Sequence, residues 1–276
     1  MQGSDATVAV VGGGPAGVAA AYQCKREGIE NIVLIEKERI GGLIRYANKI
    51  ENIPGFMGME GRAVAQKLEN LLEDADIVTI GEEVEGISKE DGFFKLIFKN
   101  DVLRCRYLII ATGTVPRTLG IPGEICHPPW RDYSGERVLV VGGGDAAYDY
   151  ALRINRFGGD VTILSRNVSA VGTLLEQVKN AGISEEKGEI RSWEKEGDVY
   201  VIRTADNTYS CDLMVTAIGR TPNIPAEDHG EVEFPNGKTS VPGLYVIGSS
   251  VLGRYRQLTL CWGMGIAAAM DIERME

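Results

Sequence analysis

The stretch "TVAVVGGGPAGVAAAYQCKREGIENIVLIEKE", residues 7–38, decides how this sequence is read. An apolar run meets three glycines, an Ala-rich segment closes at Gly28, and a second apolar run ends at Glu36. That order predicts strand, tight turn, helix and strand, one βαβ unit of a parallel sheet. Gly12, Gly14 and Gly17 stand at the spacing GxGxxG. The first glycine allows the turn, the second lets a pyrophosphate reach the backbone, and the third lets helix pack on strand. The helix N-terminus then offers unpaired N–H groups and partial positive charge to an anion. Glu36 ends the second strand, where a carboxylate can accept hydrogen bonds from an adenosine ribose.

The plan recurs in "RVLVVGGGDAAYDYALRINRFGGDVTILSRN", residues 137–167. From the first glycine of each turn, Gly12 and Gly142, the helix-closing Gly28 and Gly158 both lie 16 residues on, and Glu36 and Arg166 both lie 24 on. Two registers agree, which marks a duplicated unit. The second turn, Gly142, Gly144 and Ala147, is GxGxxA, a variant that still allows close packing. Arg166 replaces the carboxylate of Glu36 and would attract a 2′-phosphate, so NADPH is expected over NADH. The echo extends to "EGISKEDGFFKLIFKNDVLRCRYLIIATG" and "EIRSWEKEGDVYVIRTADNTYSCDLMVTAIG", each read as a β-meander and an apolar strand ending at Gly113 or Gly219. Cys105 and Cys211, eight residues before those glycines, are expected to be matching buried strand-end positions.

The fold class expected is α/β, with two Rossmann-type three-layer dinucleotide-binding domains, the second inserted in the first. The boundaries fall at the Pro- and Gly-bearing "TVPRTLGIPG" and "RTPNIP". Residues 1–117 and 226–276 make the first domain, because "SVPGLYVIGSS" and the final apolar segment supply one more strand and helix, and residues 118–225 make the second.

Bulk composition narrows the partners. The 276 residues carry a net charge of −10, which argues against a polyanionic partner such as nucleic acid. No apolar run reaches the roughly 18 residues that cross a bilayer. The chain enters a strand-like run at once, so no signal peptide is expected. Five cysteines occur without a CxxC or other metal-type spacing. No metal site is therefore expected, and a reduced, cytoplasmic compartment is.

Taken together, "GGGPAG", Gly41-Gly42, "ENIPGF" at 51–56, "ATGTVPRTLGIPGE" at 111–124, "GGGDAA", "AIGRTPN" at 217–223, "TSVPGLYVIG" at 239–248 and "YRQ" at 255–257 resemble the low-molecular-weight thioredoxin reductase group of FAD-dependent pyridine nucleotide oxidoreductases. The ferredoxin-NADP reductases built on that scaffold are included. The resemblance implies FAD on the first unit, NADPH or NADH on the second, and a homodimer. For FAD it implies Gly12, Gly14, Ala16, Gly17, Glu36 and Lys37, then Gly42, Leu43, Asn52 and Val84. It adds Ala111, Thr112, Gly113, Gly248, Ser249, Arg256, Gln257 and Leu258, the last three at the start of the final helix. For NAD(P)H it implies Gly142, Gly144, Asp145, Ala146, Ala147, Arg166 and Gly219.

The pattern departs from the group in three places. Where its reductases carry Cys-x-x-Cys, this chain has the shorter "EICHPPWRDYSGE", residues 124–136, with Cys126 alone. Disulfide exchange through two vicinal thiols is therefore excluded. The usual Gly-Asp is Gly248-Ser249, and the usual basic "HRR" is Ser165-Arg166-Asn167. Three functions follow as expectations. The first is an FAD-dependent NAD(P)H oxidoreductase passing electrons to an external small redox protein or small-molecule acceptor. The second is a ferredoxin-NADP reductase-type enzyme, and the third a flavin-binding electron carrier or redox-responsive protein with a vestigial nucleotide site. Cys126 is kept as a redox candidate.

Overall fold

The computed structural model describes residues 5–225 and 229–275. In chain order the elements are β1 (Ala6–Val11), α1 (Pro15–Arg26), β2 (Ile32–Ile35), α2 (Gly61–Asp74), β3 (Val78–Ile80), β4 (Gly86–Glu90), β5 (Phe93–Ile97), β6 (Val102–Ile110) and β7 (Thr114–Pro116). They continue with β8 (Arg137–Val141), α3 (Asp145–Arg156), β9 (Asp160–Ser165), α4 (Gly172–Asn180), β10 (Ser184–Lys187), β11 (Ser192–Glu196), β12 (Val199–Arg203), β13 (Thr208–Cys211), β14 (Leu213–Thr216) and β15 (Arg220–Pro222). The chain closes with β16 (Leu244–Val246) and α5 (Leu258–Glu273).

Two compact units result. Unit 1 comprises Met1–Arg45, Glu51–Val115 and Pro222–Glu276, and unit 2 comprises Tyr46–Ile50 and Pro116–Thr221. The five residues Tyr46–Ile50 thus leave unit 1 and cluster with unit 2, a detour that nothing in the composition of that stretch announces.

Unit 1 is built on a 7-stranded sheet in the order β3-β2-β1-β6-β5-β4, with β16 also on β6. β1, β2, β3, β6 and β16 run parallel, whereas β4 and β5 add antiparallel. Side chains alternate across the strands. Val8, Val10, Leu34 and Ile109 face α1 and α5, while Ala9, Val11, Ile35 and Ile110 pack with Phe94, Leu96 and Phe98 of the meander. Small residues let α1 and α5 approach closely: a Cβ on Gly265 would sit 2.3 Å from the Ala16 carbonyl oxygen.

Unit 2 has a 4-stranded parallel sheet, β10-β9-β8-β14. One face, with Val138, Val140 and Ile163, packs on Ala147, Ala151 and Ile154 of α3 and Val178 of α4. The other face, with Leu139, Val141, Leu164 and Met214, packs on Tyr200, Ile202 and Cys211 of a separate 3-stranded sheet, β11-β12-β13. Helices, parallel sheet and meander make the three layers of the expected α/β class.

One strand differs between the units. β6 runs unbroken for 9 residues, so the meander joins the main sheet. In unit 2 the matching run is split at Asp212, whose carboxylate accepts from Arg137 N at 2.9 Å and from the Arg137 guanidinium at 2.8 and 3.1 Å. Cys211 therefore ends a strand, whereas Cys105, expected to do the same, lies within β6. Both are buried, and burial pushes their thiols up to about 12 for Cys105 and about 11 for Cys211.

Candidate dinucleotide sites

Each unit brings its glycine-rich turn to the C-terminal edge of its parallel strands, and the two turns are built alike. In unit 1, Ala111 N donates to Val11 O at 2.7 Å, drawing the end of β6 against the end of β1. A Cβ on Gly12, where φ is +110°, would stand 2.4 Å from Ala111 O. Unit 2 repeats this arrangement: Ala217 N donates to Val141 O at 2.8 Å, and a Cβ on Gly142 would stand 2.4 Å from Ala217 O. In both, the carbonyl of the middle glycine is capped by the loop after the second strand. Gly13 O accepts from Gly41 N at 2.8 Å, and Gly143 O accepts from Ser169 N at 2.7 Å and Ala170 N at 3.0 Å.

The third small residue separates the turns. A Cβ on Gly17 would lie 1.9 Å from Gly12 O, a clash with backbone. Ala147 occupies the same place in unit 2 and is fully buried.

Gly14 leaves room for a pyrophosphate. It caps α1 in extended geometry, and a Cβ there would meet nothing within 4 Å, so its free face opens onto space at the helix N-terminus. The first turn of α1 holds no acidic residue, which leaves the helix dipole uncompensated for an anion. Glu36 follows β2, but its carboxylate is already engaged: Oε2 accepts from Gly13 N at 2.7 Å and Oε1 from Glu38 N at 2.9 Å. It therefore holds the turn in shape. Lys37 is turned to Glu83 at 2.7 Å.

Around the same edge, Ala16 meets Gly248, whose own Cβ would be 2.8 Å from the Ala16 methyl. Ser249 Oγ lies 3.1 Å from the Cβ position of Gly113, and the Thr112 hydroxyl donates to Asn223 O. Asn52 Nδ2 donates to Gln257 Oε1 at 2.6 Å, and Gln257 caps α5 ahead of Leu258. Leu43 is exposed within a short 3₁₀ turn, Gly42–Tyr46, and Gly42 lies over Gly14, 3.2 Å from its Cα to a Cβ built on Gly42. Val84 is the outlier, packed against the cluster that includes Ile80 and Phe94. Arg256 is exposed just ahead of α5.

In unit 2, Gly144 caps α3, and Asp145, Ala146 and Ala147 form its first turn. Asp145 is spoken for, since Oδ1 accepts from Val171 N at 2.8 Å. Gly219, with φ +117°, closes the edge beyond β14. Arg166 lines a cavity of about 260 Å³ together with Tyr148, Ser165, Asn167, Glu185, Glu186 and Lys187. Gly143 is a position that the GxGxxA reading leaves out: a Cβ there would stand 1.9 Å from Asn167 O. The run of three glycines was its signal.

The Cys126 segment is a packed edge. Ile125 bridges to Val215 of β14 in parallel register, so the chain passes beside the sheet. His127 stacks on Tyr46 at 4.5 Å and 14°, with Nδ1 3.4 Å from the Tyr150 hydroxyl and Nε2 3.5 Å from Arg220 Nη1. Burial, with the Arg220 and Arg153 cations adding, holds His127 neutral down to about pH 4. Arg153, fully buried, donates to Pro128 O and lies 4.4 Å from the Trp130 ring. Burial, reinforced by Glu124 and opposed by Arg220, raises the Cys126 thiol above its ordinary value. Its environment therefore does not generate the thiolate that redox exchange needs.

The pyridine nucleotide-disulphide oxidoreductase family model matches residues 6–265, both turns included. The chain belongs to that family. Within it, the chain is 29% identical over 295 residues to a Bacillus subtilis NADH dehydrogenase, covering 95% of this chain and 57% of the relative. It is 26% identical to a thioredoxin reductase of Spironucleus barkhanus, covering 96% of this chain and 97% of the relative. The chain thus spans little more than half of some curated relatives and nearly all of others. In fold it is similar to a thioredoxin reductase crystal structure from Lactococcus lactis, with TM-score 0.86, 24% identity and 98% of each chain covered. The expected α/β architecture and family resemblance both hold.

Proposed function

We propose that this chain is an FAD-dependent NAD(P)H oxidoreductase that passes electrons to an external acceptor. The observation carrying this reading is the pair of like-built turns on one chain, each with a glycine-capped helix N-terminus at the C-terminal edge of a parallel sheet. Unit 1 is the proposed FAD domain, with Gly14 at the pyrophosphate, Gly12 and Gly17 shaping the turn and Glu36 at the ribose, and unit 2 is the proposed NAD(P)H domain. FAD, when bound, supplies a two-electron acceptor for the nicotinamide hydride and a route onward to the acceptor. The residues around it hold and orient: Gly14 admits the pyrophosphate, the N-terminus of α5 at Gln257 and Leu258 presents donors, and Ser249 offers a neutral hydroxyl.

The acceptor is proposed to be a small redox protein or small molecule that comes to the flavin. Cys126 has no neighbouring thiol in sequence and a raised thiol, which supports an exit that bypasses it. A second copy of the chain is the proposed oligomeric partner, supported by the exposed Leu260, Ile266 and Met270 along the outer side of α5. Sedimentation at single-chain mass under micromolar conditions would remove that part. A reducing, cytoplasmic setting is supported by five free cysteines, four of them buried. Among the described residues no helix is long and apolar enough to cross a membrane.

The test is anaerobic mixing of the flavin-loaded protein with NADH and, separately, NADPH. Bleaching of the visible flavin absorbance by at least one of them is expected; an absorbance that stays oxidised with both sinks the reading.

A further inference from the structure

We propose that unit 2 takes NADH in preference to NADPH, and that Glu189 sets this choice by engaging Arg166. This rests on the reading of unit 2 as the nicotinamide-nucleotide domain, and it reverses the preference that Arg166 suggests when read alone. A dinucleotide whose pyrophosphate meets Gly144 and the start of α3 carries its adenosine ribose to the end of the second strand, here Ser165 and Arg166 at the end of β9. A 2′-phosphate arriving there brings nearly two negative charges and needs cations free to meet it.

Three observations act against it. Arg166 Nη1 lies 3.5 Å from Glu189 Oε1, and the same Glu189 carboxylate is 3.8 Å from Arg191, so Arg166 shares its counter-ion in a pre-formed cluster. Glu185 and Glu186 line the same cavity as Arg166. Both are fixed by tyrosine hydroxyls, Tyr148 to Glu185 at 2.6 Å and Tyr209 to Glu186 at 3.3 Å. The loop from Arg166 to Gly172 holds a single cation and exposes Val168 and Val171, which offer a phosphate nothing. Arg166 and Lys187 thus share the cavity with Glu185 and Glu186, and the third carboxylate nearby, Glu189, already holds Arg166 together with Arg191. A ribose 2′-hydroxyl has the opposite requirement, because it donates a hydrogen bond to a carboxylate.

Calorimetric binding of NAD⁺ and NADP⁺ to the full-length protein tests the assignment without turnover. The wild type binds NAD⁺ more tightly, and NADP⁺ binding as tightly or more so overturns the proposal. Glu189→Gln releases Arg166 and tightens NADP⁺ by about two- to fivefold, the scale of one exposed ion pair, with NAD⁺ within about twofold. No tightening of NADP⁺ overturns the role of Glu189. Arg166→Ala leaves NAD⁺ within about twofold, whereas a tenfold loss would show that Arg166 serves the shared part of the ligand and contradict the assignment. A wild type that binds neither nucleotide removes the reading of unit 2 itself and the proposal with it, an outcome distinct from a reversed preference.

Discussion

The two turns of this chain share their backbone and differ in what they demand of side chains. In unit 1 the third position admits only glycine, because a Cβ at Gly17 would be 1.9 Å from Gly12 O, and the strand-end residue folds back so that Glu36 holds Gly13 N at 2.7 Å. In unit 2 the third position is already the buried Ala147, and the strand-end residue Arg166 reaches outward to Glu189. Turn 1 is locked by its own strand-end residue, whereas in turn 2 that residue pairs outside the turn. The same motif therefore uses its strand-end residue as architecture in one unit and leaves it exposed beside a counter-ion in the other.

Exchanging the third residues gives the largest expected effect. Gly17→Ala forces a methyl into backbone and should cost about 2–3 kcal/mol, with much of the bound flavin lost on purification. Ala147→Gly should cost about 1–2 kcal/mol, for helix propensity and a lost buried methyl. Denaturant midpoints and flavin content measure both, and equal costs would break the comparison. The strand-end residues come next. Glu36→Ala removes the acceptor of two backbone N–H groups and should destabilise unit 1 by about 1–3 kcal/mol, whereas exposed Arg166→Ala should stay within about 0.5 kcal/mol. Thermal melts of the two variants test this, and a costly Arg166→Ala would place structure where selection is claimed.

Two further effects concern unit 2 alone. His127 has its folded value pushed to about 4, below its ordinary 6.5, chiefly by burial and then by Arg220 and Arg153. The unfolded chain then binds the proton more readily, so stability is full above pH 6.5 and falls as pH drops from 6.5 toward 4. His127→Gln should flatten that slope in an acid series of unfolding curves, and an unchanged slope would remove His127 as its cause. The smallest effect is expected at Cys126. With its thiol raised and no vicinal partner in sequence, Cys126→Ser should change NAD(P)H-driven reduction of a dye acceptor by less than about twofold.

The turns were legible because a tight strand-helix turn constrains residue type locally. Gly12, Gly14, Gly17, Gly28 and their second copies sit where their spacing predicted, and three-layer α/β architecture follows from them. What was not legible depends on partners distant in sequence. Asp212 splits a strand because Arg137, 75 residues earlier, faces it. Tyr46–Ile50 joins unit 2 through the stack on His127 and the bond from Asn48 N to Asp149 at 2.8 Å. The pairing of Arg166 with Glu189 likewise arises because the end of β9 and the segment after β10 lie together, a neighbourhood that a motif read along one strand does not contain.

The central claim, that the two turns hold two different dinucleotides, is tested most directly by counting them on one chain. Extracted FAD per chain, together with calorimetric stoichiometry for NAD⁺ on the flavin-loaded protein, should give about one of each. Gly14→Val should abolish FAD, and Gly144→Val should abolish NAD⁺ while FAD stays bound. Loss of FAD in the Gly144→Val protein, or retention of NAD⁺ there, would contradict the division of labour between the turns.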